Sequence, residues 1–93
     1  MKLTYREKIR QVGLNISYYR KYRKLTQMQL AEQVNISACY ISQIERGLLK
    51  NAVSLPVLMA ISEVLEIEIG KLFEFKDLQQ DRREVGKNDA NSP

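Results

Sequence analysis

The sequence predicts an all-α fold, a compact bundle of five short helices. Three observations predict it. Apolar residues recur at spacings of three and four through most of residues 5–74, and no stretch shows the period of two that a half-buried strand needs. Threonine or serine precedes four of the periodic stretches, at Thr4, Thr26, Ser37 and Ser54, where a side-chain oxygen can cap the open N–H groups of a helix start. Ninety-three residues with 44% hydrophobic content suffice for one domain with one modest core.

Each element follows in order. Thr4-Tyr5-Arg6-Glu7 has the form of a capping box, so the first helix starts near residue 5. Ile9, Val12, Ile16 and Tyr19 give it an apolar face as far as about Arg23, with a break expected near Gly13. Leu25 leads to a second helix, N-capped by Thr26 with Gln29 completing the box; Leu30, Ala31 and Val34 form its inner face. A third helix runs from the N-cap Ser37 to Gly47, a left-handed terminator, with Ile41 and Ile44 inward. Ser37, Ala38, Tyr40 and Gln43 point elsewhere. Ala31 is small where two steeply crossing helices must come close. Two short helices joined in this way are the parts of a helix-turn-helix, whose second helix enters the DNA major groove.

Residues 48–53 form a loop. Ser54 caps a fourth helix that tolerates Pro56 in its first turn and buries Leu55, Leu58, Ile61 and Leu65, with Val57 and Val64 widening the stripe. A short fifth helix is expected over about Glu68 to Glu74, with Ile69, Leu72 and Phe73 inward. From Lys76 onward the chain is polar, and residues 86–93 read as disordered. The expected organisation is a basic extension over 1–11, a helix-turn-helix domain over 12–75 and a polar tail over 76–93.

Composition narrows the function. The sequence has no histidine, the commonest general base and metal ligand, and Cys39 is its only cysteine. No catalytic arrangement, metal site or cofactor is expected. No apolar run approaches the roughly 20 residues that span a bilayer, and the N-terminus lacks a secretory apolar region, so the chain reads as cytoplasmic. The net charge is only +4, but it is unevenly spread. Residues 1–24 carry eight bases and one acid; residues 25–93 carry seven bases and ten acids. One basic face suited to phosphate is implied.

Residues 12 to about 74 resemble the phage repressor/Cro-type helix-turn-helix family of bacterial regulators. Val12-Gly13, Ile16 and Tyr19-Arg20 match its first helix, and Leu25-Thr26-Gln27, Leu30-Ala31 and Val34 its second. Ser37, Tyr40-Ile41-Ser42 and Ile44-Glu45-Arg46-Gly47 match its recognition helix; Ser54-Leu55, Leu58, Ile61 and Leu65 match its fourth. Asn35 stands where the family usually has glycine, and asparagine tolerates the left-handed conformation. Glu66 stands where glycine often ends the fourth helix, and the loop after Gly47 is longer than usual. The resemblance implies a lambda-repressor-like domain and an ion pair between Arg20 and Glu45.

The expected DNA-binding residues are Gln27, Ser37, Ala38, Cys39, Tyr40, Gln43, Arg46, Lys50 and Arg23. Gln27, at the first turn of the second helix, suits a backbone phosphate. Gln43 is the first choice for base readout, since glutamine can pair with adenine N6 and N7. Ala38 suits a thymine methyl, Tyr40 a phosphate or the groove edge, and Ser37 a cap and a phosphate. Arg46, Lys50 and Arg23 suit phosphates. Cys39 reads as a small side chain that fits the groove rather than as a redox switch. At least one of Ser37, Ala38, Cys39, Tyr40 and Gln43 is expected to be merely exposed. Operators of this class are read by dimers on half-sites about 34 Å apart. Ile67, Phe73 and Phe75 are the candidates for a dimer contact.

The function that follows is a sequence-specific regulator of transcription, a repressor foremost, binding a double-stranded DNA operator as a homodimer without a cofactor. Two alternatives stay open. One is an antitoxin or restriction-modification controller that binds DNA and a protein partner. The other is a helical interaction module without DNA binding, which the absence of any acid in residues 37–44 disfavours.

Overall fold

A computed structural model describes residues 3–48 and 53–75. Within them lie four α-helices: α1 (Tyr5–Tyr22), α2 (Gln27–Val34), α3 (Ala38–Arg46) and α4 (Leu55–Leu65). The fifth element is not a full α-helix but a five-residue 3₁₀ helix, Ile69–Phe73. Lys50, the centre of the 48–53 loop and the tail from Lys76 onward lie outside the described residues.

Capping chemistry sets where each helix begins. Thr4 Oγ1 accepts the Glu7 N–H at 3.1 Å, and Glu7 Oε1 accepts the Thr4 N–H at 2.8 Å. Thr26 and Gln29 repeat the box at 3.0 and 2.8 Å. Ser37 accepts from Tyr40 and Ser54 from Val57. The C-terminal part of the expected basic extension is therefore helical: residues 5–11 are the first two turns of α1.

The helix ends share one device. Lys24, Asn35, Gly47 and Glu66 all take the left-handed conformation, with φ between 60 and 68°. In each case the next residue's N–H reaches back five positions, as Ile36 does to the Ala31 carbonyl and Ile67 to that of Ser62, both at 3.0 Å. These bonds satisfy carbonyls that a helix end leaves open. Asn35 keeps the turn between α2 and α3 as expected, and Glu66 fills the role of a glycine at the end of α4.

All five elements feed one core: Ile16 from α1, Leu30 and Ala31 from α2, Ile41 and Ile44 from α3, Leu58, Ile61 and Leu65 from α4, and Leu72 from the 3₁₀ helix. Three expectations need correction. The break at Gly13 does not occur; α1 runs through it, because this glycine serves packing rather than termination. A Cβ there would lie 2.3 Å from the Ile44 carbonyl oxygen and 2.6 Å from that of Glu45. Leu55 is exposed, since it sits about 90° around α4 from the centre of Leu58, Ile61 and Leu65. Phe73 is also exposed: in the tight 3₁₀ turn Leu72 alone is fully buried, with Ile69 packed at the core edge.

Asn15 of α1 and Arg23, the C-cap of that helix, hold the C-terminal half of the fold. Arg23 Nε donates to the Leu65 carbonyl at 2.8 Å, closing the end of α4. Asn15 Nδ2 donates to the carbonyls of Leu72 and Glu74, each at 3.0 Å, and so fastens the 3₁₀ helix. Helix α1 is thereby the support on which α3, α4 and the 3₁₀ helix are placed.

Candidate nucleic-acid interface

Helix α3 is pinned from behind. Ile41, Ile44 and Glu45 are buried, and Gly13 lets the backbone of α1 touch the last turn of α3. Arg10 adds a cap from α1: its Nη1 donates to the Arg46 carbonyl at 2.9 Å, and its Cα lies 3.1 Å from where a Gly47 Cβ would stand. The last turn of α3 is thus fixed by backbone contact and a charged cap, and its outer face is left to other uses.

That outer face carries Cys39, which is exposed, and Ser42 and Gln43, which are half-buried. Ser37 and Arg46 are exposed at the two ends. Ala38 and Tyr40 differ from their neighbours, since both pack partly against the core. Tyr40 combines a ring resting on the core with a half-exposed side chain. Ala38, of which a base contact was expected, spends part of its surface on packing. No residue of α3 other than the buried Glu45 bears a negative charge.

A second group lies where α2 starts. The Thr26 hydroxyl takes up the Gln29 N–H, and the N–H groups of Gln27 and Met28 precede it in the open first turn. Gln27 is not a free side chain. Its Nε2 donates to Glu45 Oε1 at 2.9 Å. The same carboxylate receives Arg20 in fork geometry, Nε to Oε2 at 2.7 Å and Nη2 to Oε1 at 3.0 Å. Arg20 Nη1 also donates to the Leu25 carbonyl at 2.8 Å, one residue before the N-cap of α2. One network, buried at the Arg20–Glu45 pair and half-buried at Gln27, thereby joins α1, the start of α2 and the end of α3.

Arg23 is placed differently from its expected role. Its guanidinium bonds the end of α4 and lies 3.4 Å from the Glu66 carboxylate. Of the dimer candidates, Phe73 is exposed, whereas Ile67 and Phe75 are half-buried. Residue spacing gave no sign of Arg10 or Asn15, because their partners lie 36 to 59 positions away. Gly13 does carry a signal, a helix-weakening residue kept inside an amphipathic stretch, but in sequence alone that signal fits a break as well as a close contact. Among the described residues no group of acids, histidines or cysteines could hold a metal, and no helix is long and apolar enough to cross a membrane.

Comparison with known proteins agrees with this architecture. The family model described as helix-turn-helix matches residues 16–72. The chain is 43% identical over 61 residues to the immunity repressor protein of Bacillus phage phi105, covering 66% of this chain and 41% of the repressor. It is 32% identical over 78 residues to the HTH-type transcriptional regulator SlrR of Bacillus subtilis, covering 84% of this chain and 51% of SlrR. The chain thus spans about half, or less, of these relatives. Among solved structures, the restriction-modification controller protein C.AhdI from Aeromonas hydrophila superposes with a TM-score of 0.65 at 28% identity, over 70% of this chain and 96% of C.AhdI. SinR, a master regulator for biofilm formation solved in complex with DNA, superposes with a TM-score of 0.62 at 33% identity, over 68% of this chain and 98% of that one. The capped helix pair, the pinned α3 and the family match over most of the described core make this chain a member of the phage-repressor, Cro-type helix-turn-helix family.

Proposed function

We propose that the chain is a sequence-specific regulator of transcription that binds double-stranded DNA, foremost as a repressor. The observation that carries this reading is α3: its inner face is locked to the core, and its outer face offers neutral polar groups with no exposed acid. A rigid helix of that kind fits the major groove, where Gln43 reads a base edge and Cys39 and Ser42 line the contact. Gln27 and the open N–H groups of α2 take a backbone phosphate, with Arg46 as a second positive anchor and Lys50 a further candidate. Arg23 is left out of this interface, since its guanidinium is spent on α4. Similarity to an immunity repressor and to a regulator solved with DNA supports the assignment.

The chain acts as a homodimer in the cytoplasm and without catalysis. Exposed Phe73 is the strongest of the candidate dimer contacts. The restriction-modification controller is the second reading, favoured by the likeness to C.AhdI. A protein partner is compatible with either, as SinR has been solved in complex with SinI.

Selection from a random duplex library at two salt concentrations tests the reading. An enriched pseudo-palindrome is expected, and Gln43→Ala should erase preference at one position of each half-site while leaving weaker, unspecific binding. Failure to bind any duplex at low salt would overturn the proposal in favour of a protein-interaction role.

A further inference from the structure

The Gln27 side chain has two ends of opposite character, an amide N–H₂ that donates and a carbonyl that accepts. A phosphate offers only acceptors. Gln27 can therefore serve a phosphate in one orientation of its amide and repels it in the other. An unrestrained glutamine at a helix start samples both.

Here the choice is made by Glu45. A carboxylate accepts only, so the group 2.9 Å from Glu45 Oε1 must be the Gln27 N–H₂ and not its carbonyl. One amide proton is used in that bond and the second is left to donate elsewhere. Glu45 cannot turn away, because Arg20 grips both of its oxygens at 2.7 and 3.0 Å and all of this is buried. Arg20 in turn is held by the Leu25 carbonyl, just ahead of α2. The carboxylate is fixed on the same helix that carries Gln43, so the placement of Gln27 is tied to that of α3.

We propose that Glu45 is a positioning residue for DNA binding: it holds the Gln27 amide with its N–H, rather than its carbonyl, available to a backbone phosphate. The ion pair is then more than a brace for the fold. Arg20 orients Glu45, Glu45 orients Gln27, and Gln27 meets the DNA. This inference rests on the DNA-binding reading above.

A double-mutant cycle tests it, with the duplex enriched from the random library as probe and melting curves used to choose a temperature at which every variant is folded. In the parent, Gln27→Ala should weaken binding about tenfold, the size expected for one hydrogen bond to a charged group. Glu45→Gln supplies an amide that can accept or donate, so Gln27 is free to flip. In that background Gln27→Ala should cost about twofold at most, a non-additivity that a purely structural role of Glu45 would not produce. If Glu45→Gln does not fold, the paired apolar replacement Arg20→Met with Glu45→Leu gives the second background, since removing both charges together avoids a buried unpaired one. Equal tenfold losses in both backgrounds, or no loss in the parent, would overturn the proposal while leaving DNA binding intact. A parent that binds no duplex would instead remove the reading on which it rests.

Discussion

Glu45 is 6% exposed, and three donors meet its carboxylate: two from Arg20 and one from Gln27. Such a pair adds little net stability against well-packed apolar residues, but breaking it is costly. Arg20→Ala leaves the carboxylate buried with one donor and also frees the Leu25 carbonyl. A loss of about 3–5 kcal/mol is expected, a large share of a typical total of roughly 5–15 kcal/mol. Chemical denaturation of parent and variant measures it through the shift in midpoint; an unchanged midpoint would contradict the buried-pair account. Nothing in the spacing of residues 20 and 45 predicts that they meet, since each is one charged residue among many. Family resemblance implies the pairing; the fold adds a third member, Gln27, whose sequence position speaks only of a phosphate.

Among the elements, the informative one is α1. Its apolar spacing and capping box were legible, but the purpose of Gly13 was not, because a glycine inside a helix looks the same whether it breaks the helix or admits a neighbour. The neighbour decides: α3 passes so close that Ile44 and Glu45 carbonyls fill the space of a Cβ. Gly13→Ala would improve the local helix propensity by roughly 1 kcal/mol and still destabilise the protein, because backbone must move away from backbone. A net loss of about 2 kcal/mol is expected, read by the fall in melting temperature, together with weaker operator binding as α3 shifts. A rise in melting temperature would mean that α1 and α3 are less tightly apposed. The helix ends teach the same lesson. Gly47 and Asn35 announced left-handed turns, whereas Lys24 and Glu66 take that conformation without an obvious residue signal. At Glu66 the turn has a tertiary partner as well: Arg23, the C-cap of α1, donates to the Leu65 and Glu66 carbonyls.

Across the whole molecule, the charge count of the sequence overstates the basic face. Of the eight bases in residues 1–24, Arg20 is neutralised inside the core and Arg23 is spent on α4 and Glu66. Composition cannot separate cations engaged within the fold, buried like Arg20 or exposed like Arg23, from those facing a ligand; only the fold does. The separation has a thermodynamic consequence. Each phosphate neutralised by a side chain releases condensed counterions, so the logarithm of affinity falls with the logarithm of salt at a slope close to the number of contacts. Arg46 sits exposed at the end of α3, where it can neutralise a phosphate, and Arg46→Ala should therefore reduce that slope by about one. Its backbone carbonyl still accepts from Arg10 in the variant, so the fold should stay intact. Arg23→Ala removes the same charge but a different function. It should leave the slope unchanged and instead lower the unfolding midpoint, because the end of α4 loses its cap. Binding isotherms over a series of salt concentrations, paired with melting curves, distinguish the two arginines. If Arg23→Ala flattened the salt dependence as Arg46→Ala does, the guanidinium would have to leave α4 when DNA binds. The division between structural and DNA-facing cations would then be a property of the complex rather than of the fold.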